Sequence, residues 1–148
     1  MKSLIFIILF KSLIVFGQNY TATPRTIKLD SIEVKFFYNQ KVNGIEAESY
    51  FKKSNSKLRT IYNLDENNAF YLIVVQEKSK NSEDTWRTNV FQYENGKMFY
   101  QKESYYSNIN GKAVEHSKDD SEIYNDKLGT EFLKKYIVEV YNKIKNYR

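Results

Sequence analysis

The sequence predicts an α+β domain: a strongly twisted antiparallel β-meander of about seven strands, packed on one C-terminal amphipathic helix. Asn-Gly dipeptides at 43–44, 95–96 and 110–111 predict three hairpins, because both central residues of a type I′ turn need a positive φ. The links between all candidate strands are short and polar, so sequential neighbours should pair antiparallel. Beyond residue 127 the apolar period changes to the 3–4 spacing of a helix.

The N-terminus has the pattern of an export signal, residues 1–17. Lys2 supplies a positive charge, residues 4–10 and 13–16 are apolar, and Gly17 is small at the predicted cleavage point. An uncleaved membrane anchor is the alternative, but the apolar run is shorter than the about 20 residues that span a bilayer, and Lys11 interrupts it. We expect an exported protein, periplasmic or secreted, with no stable membrane span after cleavage.

The rest of the chain divides into a polar lead-in, 18–31, and a single β-rich domain, 32–148. Within the lead-in, 26–30 is a candidate short strand. The absence of cysteine excludes disulfides, thiol nucleophiles and Cys-ligated metals. Cleavage would lower the basic residues from 23 to 21 against 18 acidic ones, a net change from +5 to +3. A charge this small does not indicate nucleic acid as a partner.

Each Asn-Gly dipeptide predicts a cross-strand register on its hairpin. The predicted pairs are Val42 with Ile45, Phe36 with Phe51, Tyr93 with Met98, Phe91 with Tyr100, Trp86 with Tyr105, Ile109 with Lys112, and Tyr105 with His116. In the 86–105 hairpin, aromatic residues near the turn share one face and those farther out share the other. A β-bulge or strong coil that swaps the faces would reconcile them.

The C-terminal helix is predicted over 127–147, with a wide apolar stripe that needs the sheet as its cover. Asp126 or Thr130 is its candidate N-cap. The predicted core comprises Phe37, Tyr50, Phe51, Ile61, Leu72, Val74, Phe91, Phe132, Tyr136, Ile137 and Val140. A closed calycin-like barrel is the alternative architecture, since seven or eight sequential strands can close.

Residues with catalytic or metal-binding potential do not form a recognisable motif. His116, Asp119 and Glu122 fit no zinc or calcium spacing, and a solvated loop explains them more simply. The carboxylates of Glu46 and Glu48 share a strand face, but a glycosidase would need a deep cleft around them. We therefore predict a non-enzymatic protein with no catalytic residues, no metal and no cofactor.

Large aromatic side chains on the second face of the sheet suggest a ligand-binding surface. Trp86, Phe99 and Tyr105 are predicted to share a face opposite to the core, where rings suit stacking on a sugar or base. The alternative is that the hairpin twists and Trp86 is a core residue. The predicted function is an exported binding module that holds a small or oligomeric ligand there. A protein–protein interaction or structural envelope protein is the alternative, with a polypeptide partner.

The signal end Val15-Phe16-Gly17-Gln18, the missing cysteines and the strand pattern resemble small exported β-rich proteins of Bacteroidetes-type bacteria. In those proteins, stretches like 57–61 and 91–98 recur as hairpins. The resemblance implies a periplasmic or secreted location, and it implies no activity and no functional residue.

Overall fold

The protein is described by a computed structural model that covers residues 23–52, 56–78, 84–116 and 128–147. The predicted signal peptide 1–17 lies outside these residues, as do Asp119, Glu122 and Asp126. The strands are β1 Arg25–Leu29, β2 Ile32–Asn39, β3 Gly44–Phe51, β4 Ser56–Leu64, β5 Phe70–Lys78, β6 Thr85–Glu94, β7 Lys97–Ile109 and β8 Lys112–His116. The helix α1 is Thr130–Ile144, and 3₁₀ turns span Gln40–Val42 and Lys145–Tyr147.

The described strands form one antiparallel sheet in the order β1 to β8, so each strand pairs with its neighbours in sequence. This confirms the predicted α+β meander with a C-terminal helix. The sheet is open, because β1 and β8 are its edges and do not pair with each other. The alternative of a closed barrel was wrong. β1 lies within the predicted lead-in, and Asp30 closes its turn to β2 with a φ of 49°.

Two of the three Asn-Gly dipeptides form the predicted tight turns. Both residues of 95–96 and of 110–111 have positive φ, and the pairs Phe91–Tyr100 and Tyr105–His116 are confirmed. At the first hairpin the prediction was wrong, since Asn39 pairs with Gly44 across a 3₁₀ turn and Phe36 faces Ala47.

The first hairpin differs because Gly44 is a strand residue that packs closely against β4 and is not part of the turn. A Cβ at Gly44 would lie 2.7 Å from the backbone oxygen of Tyr62 on β4, so only glycine permits this approach. Asn43 alone takes the left-handed conformation, with a φ of 43°, and its Nδ2 donates to the Leu64 carbonyl at 3.0 Å. The turn is therefore lengthened to allow contact with β4.

One face of the sheet packs on α1, and we call it the helix-bearing face. The opposite face, on which no described helix packs, is called the open face. The buried helix-bearing residues are Leu29, Val34, Phe36, Ile45, Ala47, Phe51, Leu58, Tyr62, Leu64, Phe70, Ile73, Val75 and Phe91. The helix contributes Leu133, Tyr136, Ile137, Val140, Tyr141 and Ile144. Together these side chains form the main hydrophobic core, which is the dominant source of stability.

Several predicted core residues lie elsewhere. Phe37, Tyr50 and Leu72 belong to the open face, and Tyr50 is 37% exposed. Phe132 is on α1 but remains 44% exposed, packed edge-on against Phe51. Since β2 carries Phe36 and Phe37 in succession, its pattern does not identify the face that meets the helix.

The helix begins at Thr130 and not at 127, with Gly129 as its N-cap. Neither predicted cap applies to this start, because Thr130 is already helical and Gly129 has no side chain to bond the first amides. The predicted end at 147 includes the final 3₁₀ turn.

The start of α1 is held by a buried charged cluster, which we call the Arg87 clamp. Arg87 donates from Nη2 to Glu77 and from Nη1 to Glu103, and it is only 2% exposed. Its Nη2 also donates to the Leu128 carbonyl at 2.7 Å. The Leu128 amide in turn donates to Glu77 Oε1 at 2.9 Å. Both backbone polar groups of Leu128 are thereby fixed to the sheet, two residues before α1.

Arg87→Gln should lower the free energy of unfolding by about 3–5 kcal/mol, because it leaves buried carboxylates without their cation. Urea denaturation followed by circular dichroism measures the change. Arg87→Lys should recover part of the loss, since it restores the charge. Lys134→Gln is the control, because its exposed pair with Glu131 should contribute about 0–1 kcal/mol. Equal losses for Arg87→Gln and Lys134→Gln would contradict the clamp.

Tyrosine hydroxyls form a second set of bonds between sheet and helix. Tyr62 donates to the Ile137 carbonyl at 2.9 Å, and Tyr136 donates to the Ser49 hydroxyl. Burial raises the pKa of Tyr62 well above its ordinary value, and the nearby Tyr136 and Tyr141 add to this effect. Burial likewise raises the pKa of Tyr136 to about 12, although its bond with Ser49 opposes the shift.

The domain should therefore lose stability in alkaline solution. The raised pKa means that Tyr136 ionises first in the unfolded chain, so stability present below pH 10 is lost as the pH rises towards 12. The contribution of Tyr136 to this loss is about 2–3 kcal/mol. Urea midpoints of wild type and Tyr136→Phe from pH 8 to 11.5 should converge as the pH rises. The exposed Tyr147→Phe is the control, and a constant difference between wild type and Tyr136→Phe would refute the assignment.

Candidate functional site

A groove with a volume of about 640 Å³ opens on the open face of the sheet. Strands β2 to β6 line it with alternating side chains, so its shape depends on the register of five strands. The lining residues on this face are Glu33, Lys35, Glu48, Tyr50, Lys57, Arg59, Gln76, Lys78 and Trp86. Ser49 and Leu58 complete the lining.

Four of these residues form one row across neighbouring strands, which we call the aromatic–lysine row. Tyr50 pairs with Lys57, and Lys78 pairs with Trp86. The β4–β5 ladder ends at the pair Leu58–Glu77, and Lys57 and Lys78 are the next residues outward on the two strands. The row thus places two ammonium groups on adjacent strands between two aromatic rings.

Trp86 is held in place by an aromatic neighbour on the adjacent strand β7. Its ring stacks on Tyr106, with centroids 5.7 Å apart and planes 18° from parallel. Tyr106 faces Glu115 across the β7–β8 ladder, and Glu115 accepts from Lys102 Nζ at 3.1 Å. Trp86 itself is half-buried. The ring is therefore held at the rim of the groove with one face supported by protein.

Tyr106, which stacks on Trp86, and its neighbour Glu115 have shifted pKa values. Burial is the largest influence on Glu115 and acts to raise its pKa, but the nearby polar groups of Lys102, Ser104 and Tyr106 outweigh it and the pKa is lowered. Burial raises the pKa of Tyr106, and the Glu115 carboxylate adds to the rise while Ser104 opposes it. At neutral pH the pair is thus a neutral phenol beside a carboxylate.

The three predicted ligand-binding residues do not come together. Trp86 pairs with Tyr106 and not with Tyr105, because a β-bulge in β7 shifts the register between Val90 and Phe91. The predicted pair was wrong, although a bulge in this hairpin was expected. Tyr105 instead lies on the helix-bearing face, 6% exposed, and donates to Glu103.

Phe99 lies on the open face but far from the groove. It pairs with Gln92, six residues along β6 from Trp86, which corresponds to about 20 Å of strand. Phe99 is 47% exposed and does not line the groove. Trp86 is thus the one predicted site residue that the structure places at a groove.

Acidic and basic side chains lie next to each other in part of the groove. Arg59 is paired with Glu46 at 2.5 Å and also donates from Nη1 to Gln76 Oε1 at 3.4 Å. Glu33 lies 4.0 Å from Lys35. Glu48 pairs in register with Lys35 on one side and Arg59 on the other. Glu48 thus lies between Lys35 and Arg59, whereas Glu33 pairs in register with Tyr50 at one end of the aromatic–lysine row.

Other groups considered in the sequence have structural roles. Glu46 accepts from Arg59 and from Asn39 Nδ2, so it does not form a catalytic pair with Glu48. His116 Nε2 lies 2.8 Å from the Ser107 hydroxyl. Among the described residues, no three histidine or acidic side chains are grouped so that they could hold a metal ion.

The chain matches no protein-family model, and no curated protein or solved structure shows significant similarity to it. In the described part of the chain, no helix has the length and apolar character needed to cross a membrane.

The fluorescence of Trp86, the only tryptophan, should report the charge of the groove. Iodide should quench it more efficiently than caesium at equal, low ionic strength, because basic side chains outnumber acidic ones in the lining of the groove. Tyr106→Ala should increase quenching by acrylamide, since it uncovers the supported face of the indole. A blue-shifted emission with no quenching by iodide would place Trp86 in the interior and remove this site.

Proposed function

We propose that this chain is an exported, non-enzymatic binding module that holds a small or oligomeric ligand in the groove of the open face. The observation that carries the proposal is the groove itself, with Trp86 at its rim and Tyr50 on its other side. The stacked, half-buried indole offers a planar apolar surface. Folding has already fixed the orientation of this ring, so its side chain loses little conformational entropy when a ligand binds.

The alternative, a polypeptide partner added to a sheet edge, has less support. Both edge strands, β1 and β8, are only five residues long. They also carry charged side chains, among them Arg25, Lys28, Lys112 and Glu115. Short, charged edges are the features by which proteins discourage strand addition. A concave surface with aromatic rings favours a ligand over a flat protein interface.

The test is recovery of the bound species from the source cells. The tagged wild-type protein, purified without denaturation and examined by mass spectrometry, should retain a small or oligomeric compound. Trp86→Ala should retain at least tenfold less of it, because the stacking surface is lost. Phe99→Ala is the matched control, since it removes an exposed ring of the same face outside the groove. Recovery of only a polypeptide, equally with Trp86→Ala, would overturn the proposal.

Export can be measured in the same preparation. The mature protein should be found in the periplasm or the medium, and its intact mass should correspond to a chain that begins at Gln18. A cytoplasmic protein that retains residues 1–17 would contradict this part of the proposal.

A further inference from the structure

We propose that a second cavity of this protein binds a long-chain fatty acid. The cavity has a volume of about 630 Å³ and lies between the first strands of the sheet and the C-terminal end of α1, and we call it the helix-end cavity. It shares no described lining residue with the groove of the open face, so this inference is independent of the proposed function. The lining residues that carry the argument are Arg25, Phe36, Tyr38, Ile45, Ile144 and Tyr147.

The inner wall of the helix-end cavity is part of the hydrophobic core. Phe36, Ile45 and Ile144 line the cavity, although none of them is more than 5% exposed. Where these side chains border the cavity, they lack the close contacts that buried apolar atoms make elsewhere. An alkyl chain would provide these contacts, whereas an apolar cavity offers water too few hydrogen-bond partners. The volume is also within the range of about 300–1,000 Å³ that is typical of small-molecule pockets.

The rim of the helix-end cavity carries a single positive charge. Arg25 is exposed, and it is the only charged side chain among the described residues of the lining. Its Nη1 donates to the Tyr147 carbonyl, and it forms no salt bridge with an acidic side chain in the part of the chain that the structure describes. A guanidinium has five N–H donors, so this bond leaves others that can hold a carboxylate in bidentate geometry.

The position of Arg25 at the end of the helix makes it necessary for an anion. The C-terminal end of a helix carries a partial negative charge that disfavours a nearby carboxylate. Because Arg25 bonds the carbonyl of Tyr147 in the last 3₁₀ turn, its charge offsets this effect at the rim. An apolar wall with one cation at its rim fits a molecule with one long apolar chain and one carboxylate, which is a fatty acid.

A ligand with many hydroxyl groups suits this cavity less well. Such a ligand needs several polar partners, but the wall consists mainly of aromatic and aliphatic side chains. The Tyr38 hydroxyl, which is part of the lining, already donates to Asn43 Oδ1 at 2.5 Å. The ring of Tyr147 packs edge-on against Phe36 and is 50% exposed, so it continues the apolar wall out to the solvent.

The test measures displacement of the fluorescent fatty acid cis-parinarate by laurate and by dodecanol, which has the same chain length without the charge. Laurate should bind about tenfold to a hundredfold tighter than dodecanol, because its carboxylate bonds to a guanidinium. Arg25→Gln should remove this preference and leave the affinity for dodecanol unchanged, which shows that the cavity is intact. Lys28→Gln is the matched control, since it removes another cation of β1 outside the lining and should bind like wild type.

A variant that fills the cavity provides a second test. Ile144→Phe should abolish the binding of both compounds, because the larger side chain occupies the space of the alkyl chain. Thermal unfolding followed by circular dichroism checks that this variant is folded. If it is not, the comparison of Arg25→Gln with wild type still decides the proposal.

Four outcomes would overturn the fatty acid. Equal binding of laurate and dodecanol by the wild-type chain would make the ligand neutral. Laurate binding that is lost in Trp86→Ala and retained in Arg25→Gln would belong to the groove. Binding of neither laurate nor palmitate would exclude the class, and laurate binding only by a variant that lacks residues 18–22 would make that segment the occupant. None of these outcomes alters the test of the proposed function, which depends on the compound lost with Trp86→Ala.

Discussion

The buried guanidinium of Arg87 is the constraint on which the rest of the structure depends. The apolar face of the meander needs a cover, but apolar packing alone would tolerate small shifts of α1 along the sheet. Charges removed from water tolerate few arrangements, because each lost bond leaves a buried ion uncompensated. By holding both the amide and the carbonyl of Leu128, the Arg87 clamp fixes the point at which the chain enters α1. The tyrosine hydroxyls then meet their partners on the opposite element.

Features that depend on a few consecutive residues could be predicted from the sequence. The turns at 95–96 and 110–111 and the change to a helical period are local, and the structure confirms them. The first turn could not be predicted, because the reason for Gly44 is the Tyr62 carbonyl on another strand. The succession Phe36-Phe37 gave no indication of which ring meets the helix, since that depends on where α1 packs.

The groove, too, could be predicted from the sequence only in part. The face of Trp86 depends only on alternation within β6, but its neighbour Tyr106 depends on a bulge whose position no turn residue marks. Tyr50, Lys57 and Lys78 belong to strands joined by links without Asn-Gly, and the β4–β5 ladder contains a second register shift. Their convergence could therefore not be deduced, although each was visible as an aromatic or a lysine in a strand.

The order of elements along the chain has a consequence for biosynthesis. Every strand pairs with its sequence neighbour, so the hairpins can form one after another as the polypeptide emerges from the ribosome. The helix follows all eight described strands, and its bond from Tyr62 to Ile137 joins residues 75 positions apart. Until the helix has been synthesised, the nascent sheet exposes its apolar face. During this interval the uncovered sheet is prone to aggregate, and a chaperone that binds apolar surfaces could bind it.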